Sequence, residues 1–120
     1  MAKQLEVINP ETIKEARKLM GDRFPMLIKY FLEDTATYME EIEKGIREKN
    51  LLIVLSPAHT IKSSAKQLGV ERVSEIARQI ENACRHLSGE VSPDLTEVEN
   101  LYEKLKNEAS LAWPQLQAQA

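Results

Sequence analysis

From Phe24 onward the apolar residues return in alternating steps of four and three, which places them on one stripe of a helix with 3.6 residues per turn. The first run is Phe24, Ile28, Phe31, Thr35, Tyr38, Ile42 and Gly45, in a stretch that Asp22 opens and Glu48 closes. The rhythm returns in Leu51, Val54, Ala58, Ile61, Ala65 and Leu68, then in Val70, Val73, Ala77, Ile80, Cys84 and Leu87, and again in Leu95, Val98, Tyr102, Leu105, Ala109 and Ala112. The spacing predicts helices over about 22–48, 51–68, 70–87 and 94–112. Ahead of them, Asn9-Pro10-Glu11 supplies a capping residue, a proline for the first turn and an acid. Gly21 is a stop signal, so a short helix over about 10–20 is expected, with Ile13, Ala16 and Met20 on one side. Ser92-Pro93 repeats the cap-then-proline start before the last seam. Pro114 is expected to end that helix, leaving 115–120 without a periodic face and prone to fray.

The links between seams are short: Lys49-Asn50, then Gly69, then roughly 88–92. Short links force each helix back along its neighbour. The expected fold is therefore all-α, an antiparallel up-down-up-down four-helix bundle with a short N-terminal lid helix, forming one domain over 1–120. At 120 residues the chain can bury one core and has no room for a second domain.

Charge and motif content remove most function classes. A net charge of −3 gives no basic footprint for nucleic acid or anionic lipid. The turn at Gly69 has the outline of a helix-turn-helix, but the helix after it carries Glu71, Glu75 and Glu81 where a recognition helix needs cations and amides. Cys84 is a single cysteine on an apolar stripe with no local histidine, and is expected to be an inert buried thiol. No apolar run is long enough to span a membrane and no signal peptide is present, so a cytoplasmic protein is expected, with Met1 and the tail favouring a free-standing one. A di-iron bundle needs Glu three residues before His on two helices, whereas Ser56 and Ala83 precede His59 and His86. No phosphate-binding Gly-rich loop or kinase signature is present, so neither metal nor ATP chemistry is expected.

One segment carries candidate chemistry. In Ala58-His59-Thr60-Ile61-Lys62-Ser63-Ser64-Ala65-Lys66, the side chains of His59, Lys62, Ser63 and Lys66 share a face to one side of the seam. An imidazole is thereby set at the surface with two ammonium groups one and two turns on, an arrangement that calls for an anion. The small hydroxyl of Ser63 leaves room for one and can donate to it. Spacing alone also fits an incidental half-exposed histidine on a solvated face, and periodicity does not decide between them.

These residues resemble the signature of the histidine-containing phosphotransfer (HPt) domains: His59, Lys62 three residues on, a small residue at Ser63 and Gly69 at the tenth position, with Ala58 and Leu68 as flanking residues. Asn50 stands where many members start this helix with Asp or Asn. Ser63 is a departure, since Gly is commoner there. The resemblance implies the same bundle and a phosphocarrier in a His-Asp phosphorelay, with His59 as phosphoacceptor and Lys62 stabilising charge. It implies response-regulator receiver domains as partners, a hybrid sensor histidine kinase among them, and a monomer that needs no cofactor, any Mg²⁺ being held by the receiver. Lys66 is a second candidate for charge stabilisation. Leu52, with Ile13 or Met20 of the lid helix, would give an apolar docking patch, and Glu81 and Arg85 would line the site if they are more than solvated surface charges. His86 near a helix C-terminus is read as a favourable dipole partner. The competing reading is a phosphorylation-independent helical adaptor, which has no physical need of the His59–Lys62 pair.

Overall fold

The computed structural model describes residues 4–120. Asn9 caps the first helix as expected: its side chain accepts from the backbone N–H groups of Glu11 and Thr12. That helix, α1, runs Pro10–Met20. A single 3-10 turn, Gly21–Arg23, joins it to α2, Phe24–Arg47, so α2 begins two residues later than the apolar rhythm suggested. Pro25 explains the new start, because a proline lacking its N–H is accommodated in a first turn and not further in. Asn50 caps α3, Leu51–Gln67, by accepting from Leu52 and Ile53. Helix α4 is Glu71–Leu87 and α5 is Thr96–Gln119.

Two expectations about α5 are corrected. Ser92-Pro93 does not start it; the Asp94 carboxylate accepts from the backbone N–H and hydroxyl of Thr96, and the helix begins there. Nor does Pro114 end it. The helix continues to Gln119 because Leu116 is fully buried and Arg17 of α1 donates to the backbone and side-chain oxygens of Gln119. Burial of a whole leucine side chain is worth roughly 1.5–3 kcal/mol, comparable with the roughly 3 kcal/mol cost of proline in a helix interior. Trp113, beside the proline, sets its ring edge-on against Phe31 with centroids 5.6 Å apart.

Each of α2 to α5 packs on its neighbours in sequence, and α2 meets α5 to close the ring. The residues at the seams form one continuous core, including Ile28, Ile42, Val54, Ile61, Ile80, Val98 and Leu105. Cys84 lies in it, and burial pushes its thiol up to about 11, so it stays protonated at neutral pH. No helix among the described residues is long and apolar enough to cross a membrane.

The lid is fastened at the α3–α4 turn. Gly69 takes a positive φ of 76°, and its carbonyl accepts from the Asn9 N–H at 2.8 Å. A Cβ at this position would stand 2.7 Å from the Cβ of Thr12. Ahead of α1, Glu6 N–H and the Asn9 amide both donate to the Glu71 carboxylate, and Arg72 donates to the Leu5 carbonyl. Glu71, expected on the exposed face of α4, is therefore half-buried under this strap.

Gly69 differs from Gly89, which also has positive φ but has nothing within 4 Å of a notional Cβ. Gly89→Ala is expected to cost about 1 kcal/mol of unfolding free energy in urea titration, from backbone strain alone. Gly69→Ala is expected to cost at least about twice that, since the strain is joined by a clash with Thr12.

Candidate functional site

His59 sits at the mid-point of α3, between the buried Ala58 and Ile61, with its own side chain 55% exposed. Two residues earlier, the buried Pro57 leaves the Ile53 carbonyl without its usual helical donor. On the far side of the α3–α4 groove stands Glu81, whose side chain is 4% exposed. The His59 Nδ1 lies 2.6 Å from Glu81 Oε2, and the Lys62 Nζ donates to Oε1 at 2.6 Å. Arg85, one turn along α4, donates to Oε2 at 2.9 Å. One buried carboxylate thus gathers three cationic or potentially cationic side chains from two helices.

The electrostatics follow from this geometry. Burial pushes the Glu81 carboxyl up, but hydrogen bonds from Lys62, Arg85 and His59 outweigh it and hold the group down at about 2. Glu81 is therefore an anion across the neutral range. The Nε2 of His59 has no hydrogen-bond partner among the described residues and faces the open side of a ring that is half exposed.

The helix pair that sets these distances is itself tied. Ser74, buried at the start of α4, donates from Oγ to the Lys62 backbone carbonyl at 2.8 Å. This contact fixes the height of α4 against the turn of α3 that carries Lys62.

The remaining sequence candidates divide. Ser63 and Lys66 are exposed on the His59 face and line, with Lys62, Glu71, Ser74 and Arg78, a groove of about 620 Å³. Lys66 makes no ion pair among the described residues. Leu52 is 76% exposed, two turns ahead of His59, and borders a second groove with the fully exposed Val91 of the α4–α5 loop. Gly69, by contrast, is buried in its turn and covered by Asn9 and Thr12, so it offers no binding surface. Ile13 is in the core and Met20 is half-buried against it, which removes Ile13 from any docking patch. His86 is exposed in the last turn of α4.

Besides Glu71, two glutamates differ from their sequence-based placement. The apolar rhythm puts Glu81 among the exposed positions of α4, whereas it is buried, and Glu75 is half-buried and paired with Arg78. The available signal was the Glu81–Arg85 spacing of four together with the position of Glu81 next to the seam residue Ile80. Ser74 gave no signal at all, because its partner is a backbone carbonyl. Lys62, expected to await an external anion, already has an internal one.

Ionisation of Glu81 is linked to stability. Its folded-state value lies below the ordinary 4.5, so its contribution is complete above that pH and is lost as pH falls from about 4.5 towards 2. Urea titrations of wild type and Glu81→Gln across that range are expected to converge at the acid end, the gap narrowing by up to about 3 kcal/mol. A constant gap would show that the carboxylate is not held ionised by its partners.

Comparison with known proteins gives the chain a family and a fold. Residues 26–110, well over half the chain, match the Hpt domain family. The phosphorelay intermediate protein YPD1 of Candida albicans is 36% identical over 56 residues, a stretch covering 47% of this chain and 30% of that protein's own length. The crystal structure of histidine-containing phosphotransfer protein B (HptB) from Pseudomonas aeruginosa PAO1 shares the fold with a TM-score of 0.86, over 96% of this chain and 95% of that one, at 16% identity. The chain belongs to the Hpt domain family.

Proposed function

We propose that the chain is a phosphocarrier in a His-Asp phosphorelay, taking a phosphoryl group from a receiver-domain phosphoaspartate onto His59 Nε2 and giving it up to a second receiver. The observation that carries this reading is the imidazole of His59, exposed to solvent with Nδ1 bonded inward and Nε2 left free. An adaptor has no use for a ring so held.

The chemistry asks little of the chain. Phosphoryl transfer passes through a loose transition state that needs alignment and neutralisation of charge on the equatorial oxygens, and a neutral imidazole needs no base to release its lone pair. Lys62 serves the charge. Its ammonium has three N–H donors, so it can keep Glu81 and still present others to the phosphoryl oxygens. Lys66 lies one turn further on the same face, and the Ser63 hydroxyl lies between them in position. ATP binding and self-phosphorylation have no part in the scheme, and a Mg²⁺ ion would be the receiver's.

Docking is served by the surfaces on either side of His59. Leu52 and Val91 give an apolar contact, and Lys62, Lys66 and Arg85 face the partner with positive charge, complementary to a receiver's acidic phosphorylation pocket. Response-regulator receivers, including one carried on a hybrid sensor kinase, fit this description. The domain is taken to act as a monomer in the cytoplasm.

Incubation with a phosphorylated receiver domain is expected to place an acid-labile, alkali-stable phosphate on the wild type and none on His59→Gln; label on the variant would reassign the acceptor. Lys62→Ala is expected to slow transfer roughly 10- to 100-fold while the helical circular dichroism is retained.

A further inference from the structure

The groove of about 620 Å³ between α3, α4 and the strap shares Lys62 and Ser63 with the His59 face, but the His59 ring is not part of its lining. Its two acidic side chains are already engaged. Glu71 accepts from the Glu6 N–H on Oε1 and from the Asn9 amide on Oε2, and Glu75 accepts from the Arg78 guanidinium on both oxygens. Its donors are not engaged. Thr12, Ser63 and Lys66 line the same groove, and neither the two hydroxyls nor the ammonium has a hydrogen-bond partner among the described residues. Other hydroxyls of this helix pair behave differently: Thr60 and Ser64 each donate to a carbonyl one turn back, and Ser74 donates to the carbonyl of Lys62.

We propose that this groove is a second docking contact for the receiver, seating an acidic side chain of the partner from outside its phosphorylation pocket, with Lys66 as the counter-charge and Ser63 and Thr12 as donors. This rests on the carrier reading, which supplies the partner. An ammonium has hydrogens to give and no lone pair to offer, so what settles on Lys66 is an acceptor, and an anionic acceptor binds it most strongly. The groove's own carboxylates do not meet that need, because each of their oxygens is already held by the strap or by Arg78. A group from another molecule does.

Position and size point to the receiver as that molecule. Because Lys62 and Ser63 belong to both surfaces, a partner docked on His59 reaches the groove without a break. Lys66 stands about two turns from His59, about 10 Å along α3, so the groove and the reacting nitrogen engage separate parts of the partner. Two separated contacts fix the partner's rotation about His59, which one contact leaves free, and in-line phosphoryl transfer depends on that alignment. A groove of this volume suits adjoining side chains more than a lone inorganic anion. One wall is Leu5 of the strap, 41% exposed, so an acidic residue with an apolar neighbour fits best. Lys66 then acts on association and orientation, and Lys62 on the group being transferred.

The test uses the full chain and, from a panel of receiver domains, the one that binds the wild type most tightly. Lys66 is exposed, so Lys66→Glu leaves the core untouched. It is expected to weaken calorimetric binding of the unphosphorylated receiver about tenfold and to flatten its salt dependence. In transfer from the phosphorylated receiver, the concentration giving half-maximal rate is expected to rise by a similar factor, the rate at saturation changing much less. Carbodiimide coupling of the wild-type complex is expected to join Lys66 to an Asp or Glu of the receiver outside its phosphorylation pocket, and changing that residue to Lys is expected to restore binding of Lys66→Glu. An unchanged affinity overturns the proposal, as does a cross-link from Lys66 into the phosphorylation pocket itself. Inorganic phosphate that binds the wild type and not Lys66→Glu, with receiver affinity equal in both, would give the groove to a free anion and overturn it too. Failure of the receiver to place phosphate on wild-type His59 would overturn the carrier reading instead, and its affinity for Lys66→Glu would still decide the docking contact.

Discussion

A carboxylate taken out of water must be compensated where it lands, and in this protein the compensation comes from three side chains that then cannot point elsewhere. Glu81 is held by Lys62 and His59 from α3 and by Arg85 from its own helix. Each partner is long or exposed enough to wander if unpaired. Because the anion is fixed by the packing of α4 into the core through Ile80 and Cys84, the groups around it inherit that fixity. The surface imidazole is ordered from below, by a buried charge, and not by contacts on the surface itself.

The family signature mixes two kinds of requirement. His59 and Lys62 face the α3–α4 groove, where the proposed transfer would take place. Gly69 belongs to the frame: its positive φ reverses the chain, and its bare Cα lets Asn9 and Thr12 close over the turn. A substitution there would act on the lid and the α3–α4 register before it acted on the imidazole. Ser74 makes the same point from the other side, since its hydroxyl reaches the Lys62 carbonyl and holds the register through the backbone.

Local and periodic features were readable from the sequence, and cross-chain compensation was not. Asn9 and Asn50 each cap the helix they precede, because capping is decided within three residues. The four apolar rhythms gave the seams, because burial on a helix has a fixed period. Pro114 misled because its local cost is offset by burial of Leu116 and by Arg17, contacts about a hundred residues apart in the case of Arg17 and Gln119. Ser92-Pro93 misled because Asp94, two residues nearer the seam than Ser92, accepts from Thr96 and sets the start there. At the site, the exposed side of α3 was legible from angular position, while the burial of Glu81 was not. A glutamate beside a seam ordinarily turns outward, and only the meeting of two helices shows why this one turns in.

The strap and the end of α5 also run together. Gln4, Leu5, Ile8 and Pro10 border a groove that Gln115 shares, and Arg17 grips Gln119. The backbone thus enters and leaves the bundle at neighbouring points, while His59 lies at the mid-point of α3. Joining Gln4 to Gln119 through a short linker and opening the chain at the unencumbered Gly89 would therefore give a permuted order of helices with the same knot of charges around Glu81. The site depends on which helices lie side by side and is indifferent to the order in which the ribosome supplies them.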